Sequence, residues 1–98
     1  MSQPEPRIAS AWSFLSNHGH VLVCIGRDSN VRVREIAQAV GITERAVQRI
    51  LGELEHGGVI SRIRQGRRTH YVIDEGAPLR HPLEEQHSVG ELLGLVGT

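Results

Sequence analysis

The stretch REIAQAVGITERAVQRILGELEHGGVISR, residues 34–62, decides the fold. Ile36, Ala37 and Val40 stand at i, i+1 and i+4, so a short helix runs from about Val33 to Val40. Gly41 follows as a C-terminal stop, since glycine takes the left-handed conformation that ends a helix without a steric penalty. Ile42 is an apolar residue inside the turn. Thr43 is a natural N-cap and opens a second helix, Glu44 to about His56. Gly57-Gly58 ends it. Successive residues of a helix turn by about 100°. Val47, Ile50, Leu51 and Leu54 therefore share one face of the second helix and belong to a core. Arg45, Gln48, Arg49 and Gly52 share the opposite face.

Downstream, Val59–Arg64 and Arg68–Ile73 are rich in β-branched residues and read as two strands, joined at Gln65-Gly66-Arg67. Residues 74–82 contain Gly76, Pro78 and Pro82 and read as extended, within a linker over 74–87. Ser88-Val-Gly-Glu91 matches a capping box, with Val89, Leu92, Leu93 and Val96 following at helical spacing. This predicts a short apolar helix in the segment 88–98.

Upstream, Asn17 is the expected N-cap of a helix through HGHVLVCIGR, residues 18–27, with Val21, Leu22, Cys24 and Ile25 as its buried stripe. Asp28-Ser29-Asn30 signals a turn. Val31-Arg32-Val33 alternates, which suits a very short strand. Residues 1–16 read as an N-terminal arm in which Trp12, Phe14 and Leu15 are expected to pack onto the domain.

Composition narrows the function classes. The chain has 98 residues, 39% hydrophobic and 3% aromatic, enough for one aliphatic core. One cysteine excludes an intramolecular disulfide and a Cys-only zinc site, and suits a reducing compartment. The start lacks the pattern of a signal peptide, and the longest apolar run, Val21–Ile25, is far short of the ~20 residues of a membrane span. A cytoplasmic protein is expected. His18-x-His20-x3-Cys24 superficially suggests a metal site, but Cys24 lies inside the apolar VLVCI and the ligand count falls short of four. No nucleophile elbow and no phosphate-cradling glycine loop is present, and a domain this small leaves little room for a pocket. No enzyme activity, cofactor, metal or small-molecule ligand is expected.

Charge is neutral overall but unevenly spread. All 11 cations are arginine. Residues 27–70 hold nine Arg against five acids, a net +4, whereas residues 71–98 hold one Arg against five acids, a net −4. A basic segment beside an acidic one suits a nucleic-acid face on one side of the molecule.

Two helices across a three-residue turn, followed by a hairpin, form the signature of a helix-turn-helix with a wing. Residues 31–73 resemble the winged helix-turn-helix domains of bacterial and archaeal transcriptional regulators of the MarR, ArsR and IclR types. The resemblance rests on Ile36-Ala37, Gly41-Ile42-Thr43, Val47, Arg49, Leu51, Leu54 and Gly58-Val59-Ile60. The expected fold is mainly α with a small β-hairpin. It comprises a three-helix core plus wing over residues 17–73, a linker over 74–87, and a C-terminal helix over 88–98.

The resemblance implies binding to double-stranded DNA in transcriptional control, with helix 44–56 in the major groove. Arginine grips guanine O6/N7 with two bonds and glutamine does the same with adenine, so Arg45, Gln48 and Arg49 are the candidate base readers. Arg64, Arg67 and Arg68 crowd the hairpin and suit the flanking backbone or minor groove; arginine there would also discourage edge aggregation. Arg34, with Arg32, is a weaker phosphate candidate. Thr43 is first a cap and second a phosphate contact. A homodimer is expected. The C-terminal helix is the candidate dimer element, with fold-back onto its own domain as the other reading. A protein-docking adaptor of the same fold is the alternative function.

Overall fold

In a computed structural model, residues 12–97 are described, and they fold into four helices and one hairpin. The order is α1 (Asn17–Arg27), α2 (Val33–Val40), α3 (Glu44–His56), β1 (Ile60–Gln65), β2 (Arg68–Ile73) and α4 (Val89–Val96). Of the expected arm, residues 1–11 lie outside the described part.

The α2–α3 unit has the bounds its caps dictate. Gly41 ends α2 at φ 88°, in the left-handed region. Thr43 then caps α3, its Oγ1 accepting from the Ala46 N–H at 3.0 Å. Two bonds follow the helix end, Gly41 N–H and Ile42 N–H both to the Ala37 carbonyl. The turn is thus fixed from both sides, and it sets the angle at which α3 leaves the core.

The core lies between α1, α2 and α3, floored by the start of the hairpin. Val21, Leu22 and Ile25 meet Ile36, Ala37 and Val40, and both sets meet Val47, Ile50, Leu51 and Leu54. Val59, Ile60, Tyr71 and Val89 close the cluster. Fully burying one such aliphatic side chain contributes about 1.5–3 kcal/mol. The buried stripe of α3 follows from its sequence: positions 47, 50, 51 and 54 recur at i, i+3, i+4 and i+7.

The hairpin is antiparallel, with Ile60 opposite Ile73 and Gln65 opposite Arg68. The turn is therefore two residues, Gly66-Arg67, one shorter than the sequence suggested. Gly66 has φ 63° and Arg67 does not share the positive φ, the pattern of a type II′ turn with glycine first. Gln65 joins β1 as a result.

Four expectations are corrected. Ser16, not Asn17, caps α1, accepting from the Gly19 N–H. Val31–Val33 forms no strand. The Val31 N–H bonds the Asp28 carbonyl and the Arg32 N–H bonds the Glu35 carboxylate, so both donors are taken locally. Only Ser29 pairs with the hairpin, its carbonyl accepting from the Tyr71 N–H at 2.8 Å. Residues 74–87 are not extended. They fold back, with Leu79 N–H on the His87 carbonyl and Val89 N–H on the Ala77 carbonyl, which places Ala77 and Leu79 against the core. Trp12 and Phe14 do not cover the domain: they are 70% and 92% exposed and pack edge-to-face on each other, centroids 5.2 Å apart.

The helix α4 has its capping box, with Ser88 and Glu91 exchanging two bonds at 3.1 and 2.7 Å. It docks on α1 through Val89 and Leu93, and Arg27 donates to the Val96 carbonyl at 3.3 Å. Leu95, 79% exposed, points away.

Candidate nucleic-acid interface

The helix α3 presents the two faces its sequence dictates. Thr43, Arg45, Gln48 and Arg49 are all exposed, backed by the fully buried Val47, Ile50 and Leu51. Arg45 and Gln48 have no side-chain hydrogen bond among the described residues, so their donors face solvent. Gly52, on the same face, is open: a Cβ placed there meets nothing within 4 Å.

Arg49 is not free. Its Nη1 lies 3.3 Å from both carboxylate oxygens of Glu53, one turn on, and Glu53 in turn is 2.6 Å from Nε2 of His18 on α1. The His18 hydrogen bond, with Arg49 beside it, holds the Glu53 carboxyl below the usual carboxylate range. The sequence placed a charged Arg-Gln-Arg face here. It gave no sign that a carboxylate and an imidazole share it, because His18 and Glu53 are 35 residues apart.

The hairpin is fixed to α3 rather than hung from it. The α3 end runs into β1 through Val59 N–H on the Leu54 carbonyl, and Arg62 donates to Glu55 Oε1 through Nε at 3.2 Å and Nη2 at 2.8 Å. Arg64 turns back to the Gly66 carbonyl at 3.2 Å and stiffens the tip. Arg67 and Arg68 are exposed and without an ion-pair partner among the described residues. Both line a cleft of about 410 Å³ whose other walls are Asn30, Val31, Arg32, Val33, Thr69 and Tyr71. Arg32, the lesser candidate in sequence, therefore stands with the two hairpin arginines. Arg34 is exposed on α2 but does not line the cleft. Three arginines lining one groove suit an anionic chain with regularly spaced charges.

A second cleft, of about 480 Å³, lies between α1, β2 and α4, lined by Ile25, Tyr71, Ile73 and Leu93 among others. Cys24 is half-buried, and burial pushes its thiol up while Arg27 pulls it down. Among the described residues, no three His, Cys, Asp or Glu side chains converge on a point that could hold a metal ion. No helix of the described residues is long and apolar enough to cross a membrane.

Comparison with known proteins finds a matching family model, a similar curated protein and solved structures of similar fold. Residues 16–61 match the family described as winged helix-turn-helix DNA-binding. A curated riboflavin kinase of Thermococcus kodakarensis is 43% identical over 49 residues, which is 50% of this chain and 23% of the kinase. Among solved structures, MepR, a transcription regulator of the Staphylococcus aureus multidrug efflux pump MepA, superimposes with a TM-score of 0.55 at 20% identity, over 81% of this chain and 55% of MepR. The chain thus spans under a quarter of the curated protein it matches and about half of the MepR chain.

Proposed function

From a chain whose residues 16–61 match the winged helix-turn-helix DNA-binding family, we propose a regulator of transcription that binds double-stranded DNA. The α3 helix enters the major groove. At 13 residues it is about 20 Å long, which suits a groove about 12 Å wide. Arg45, Gln48 and Arg49 read base edges, and the Thr43 end of the helix lies near a phosphate. Arg32, Arg67 and Arg68, with Arg34 and Arg64 beside them, hold the flanking backbone. The observation that carries this reading is the exposed Arg45–Gln48–Arg49 face of α3, backed by a separate arginine-lined cleft at the hairpin, which Glu55–Arg62 braces to α3.

A single module of this size buries little DNA surface, so two copies per operator are proposed, paired through the outward side of α4 around Leu95. Light scattering of the protein with a duplex, set against Leu95→Glu, tests the pairing; a wild type that stays monomeric on DNA contradicts it. No phosphotransfer is carried over from the kinase, of which the match covers 23%.

The test of DNA binding is fluorescence anisotropy with a labelled duplex across a salt series. Counterion release makes log affinity fall with log salt by about 0.9 per phosphate contacted. Arg49→Ala is expected to cost about 1–3 kcal/mol on a selected site and far less on generic duplex, as a lost guanine contact does. Absence of binding at low salt contradicts the proposal and favours a protein-docking role.

A further inference from the structure

We propose that Glu53 is a specificity-determining residue of the DNA-facing surface, held in place by His18, and that it selects a cytosine next to the base read by Arg49. This inference rests on the DNA-binding reading above.

Glu53 lies one turn beyond Arg49 on the same face of α3, 51% exposed against 60% for Arg49. An isolated pair of this kind adds only a few tenths of a kcal/mol to a helix. Yet Glu53 is not isolated. His18 reaches it from α1 at 2.6 Å, so the carboxylate is tied to a second helix. Neither partner of this pair is buried, and no core contact explains it. Glu53 instead places a fixed negative charge on a surface otherwise lined by Arg45, Gln48 and Arg49.

A carboxylate in the major groove discriminates. It is repelled by phosphates and by the acceptor edges of guanine, thymine and the adenine N7. It accepts a hydrogen bond from the amino group of cytosine, which has no acceptor beside it in the major groove, whereas the adenine amino group stands next to the repelling N7. Residues four apart on a helix have Cβ atoms about 5–6 Å apart. Stacked bases are about 3.4 Å apart. Glu53 therefore faces one or two base pairs from the one that Arg49 reads. It also shares Arg49 with the base: Arg49 Nη1 lies against the carboxylate, while its Nε and Nη2 make no bond to Glu53. His18 acts through Glu53 and is a positioning residue. This carboxylate weakens binding to arbitrary duplex, where no cytosine answers it, and the cost falls away on the matching site.

The experiment compares the full chain with Glu53→Gln and His18→Gln in two measurements. One is affinity for a single generic duplex. The other is the base preference recovered from a randomised duplex pool. Far-ultraviolet circular dichroism confirms the helices of each variant. Removing one negative charge from a DNA face is expected to raise generic affinity at low salt by about threefold or more. Glu53→Gln should at the same time lose the cytosine preference beside the Arg49 base, or shift it to adenine, which glutamine reads. His18→Gln should blur the same position without raising generic affinity, because the charge stays. Structural damage would lower both affinity and selectivity together. A wild type that binds duplex while Glu53→Gln leaves affinity and preference unchanged overturns this inference alone. A wild type that binds no duplex overturns the DNA reading and this inference with it.

Discussion

Two glycines in the same motif have opposite worth. Gly41 sits at φ 88°, where a side chain is strained whatever space surrounds it. Gly41→Ala is expected to destabilise by about 1–2 kcal/mol, the cost of placing an L-residue in the left-handed region. For a domain of this size that lowers the Tm by roughly 4–8 °C per kcal/mol. Gly52 lies inside α3 with open space where a Cβ would stand. Gly52→Ala is expected to stabilise by about 0.5–1 kcal/mol while weakening DNA binding, since the added methyl faces the groove. Thermal melts of both variants check the signs; melts shifted in the same direction contradict the roles given to the two positions. Gly41 and Thr43 were legible in the sequence because a cap bonds to its own neighbours. The His18–Glu53–Arg49 chain was not, since nothing local in either helix announces a partner 35 residues away.

At the level of elements, the same division holds. The bounds of α2 and α3 follow from periodicity and caps, which are short-range. The hairpin strands were legible to within a residue, and the difference is one of turn chemistry at Gly66. What failed depends on distant backbone bonds. Arg32 joins the hairpin arginines only because Ser29 pairs with Tyr71. The segment 74–87 folds back only because Ala77 and Leu79 find partners at Val89 and His87. The docking of α4 depends on its first turn. Glu91 is held below the usual carboxylate range by the Ser88 backbone N–H first and by His87 second. A carboxyl whose folded pKa is lowered stabilises fully above its unfolded value, and the contribution is lost as pH falls through the folded one. The α4 amides should therefore exchange faster as pH drops below the ordinary carboxylate range, after correction for intrinsic exchange. Glu91→Gln should remove that dependence. Protection of α4 that is unchanged from pH 5 to pH 3 in the wild type contradicts the role of this cap.

Across the whole molecule, function follows from where charge was put on a neutral chain. The excess of arginine between residues 27 and 70 gathers on α3, the hairpin and the start of α2, and the acids of residues 71–98 lie on the fold-back segment and α4. The proposed binding face and the proposed pairing face are thus separate parts of one small domain. The Glu55–Arg62 pair braces the hairpin to α3, so in the proposed reading helix and wing meet a duplex together. The most direct test is an amide chemical-shift titration of the labelled protein with a short duplex. The largest shifts are predicted at Thr43–Arg49, at Arg32–Arg34 and at Arg64–Thr69, with α4 little changed. Shifts concentrated on α4 and on Trp12–Phe14, with α3 and the hairpin unmoved, would contradict the account.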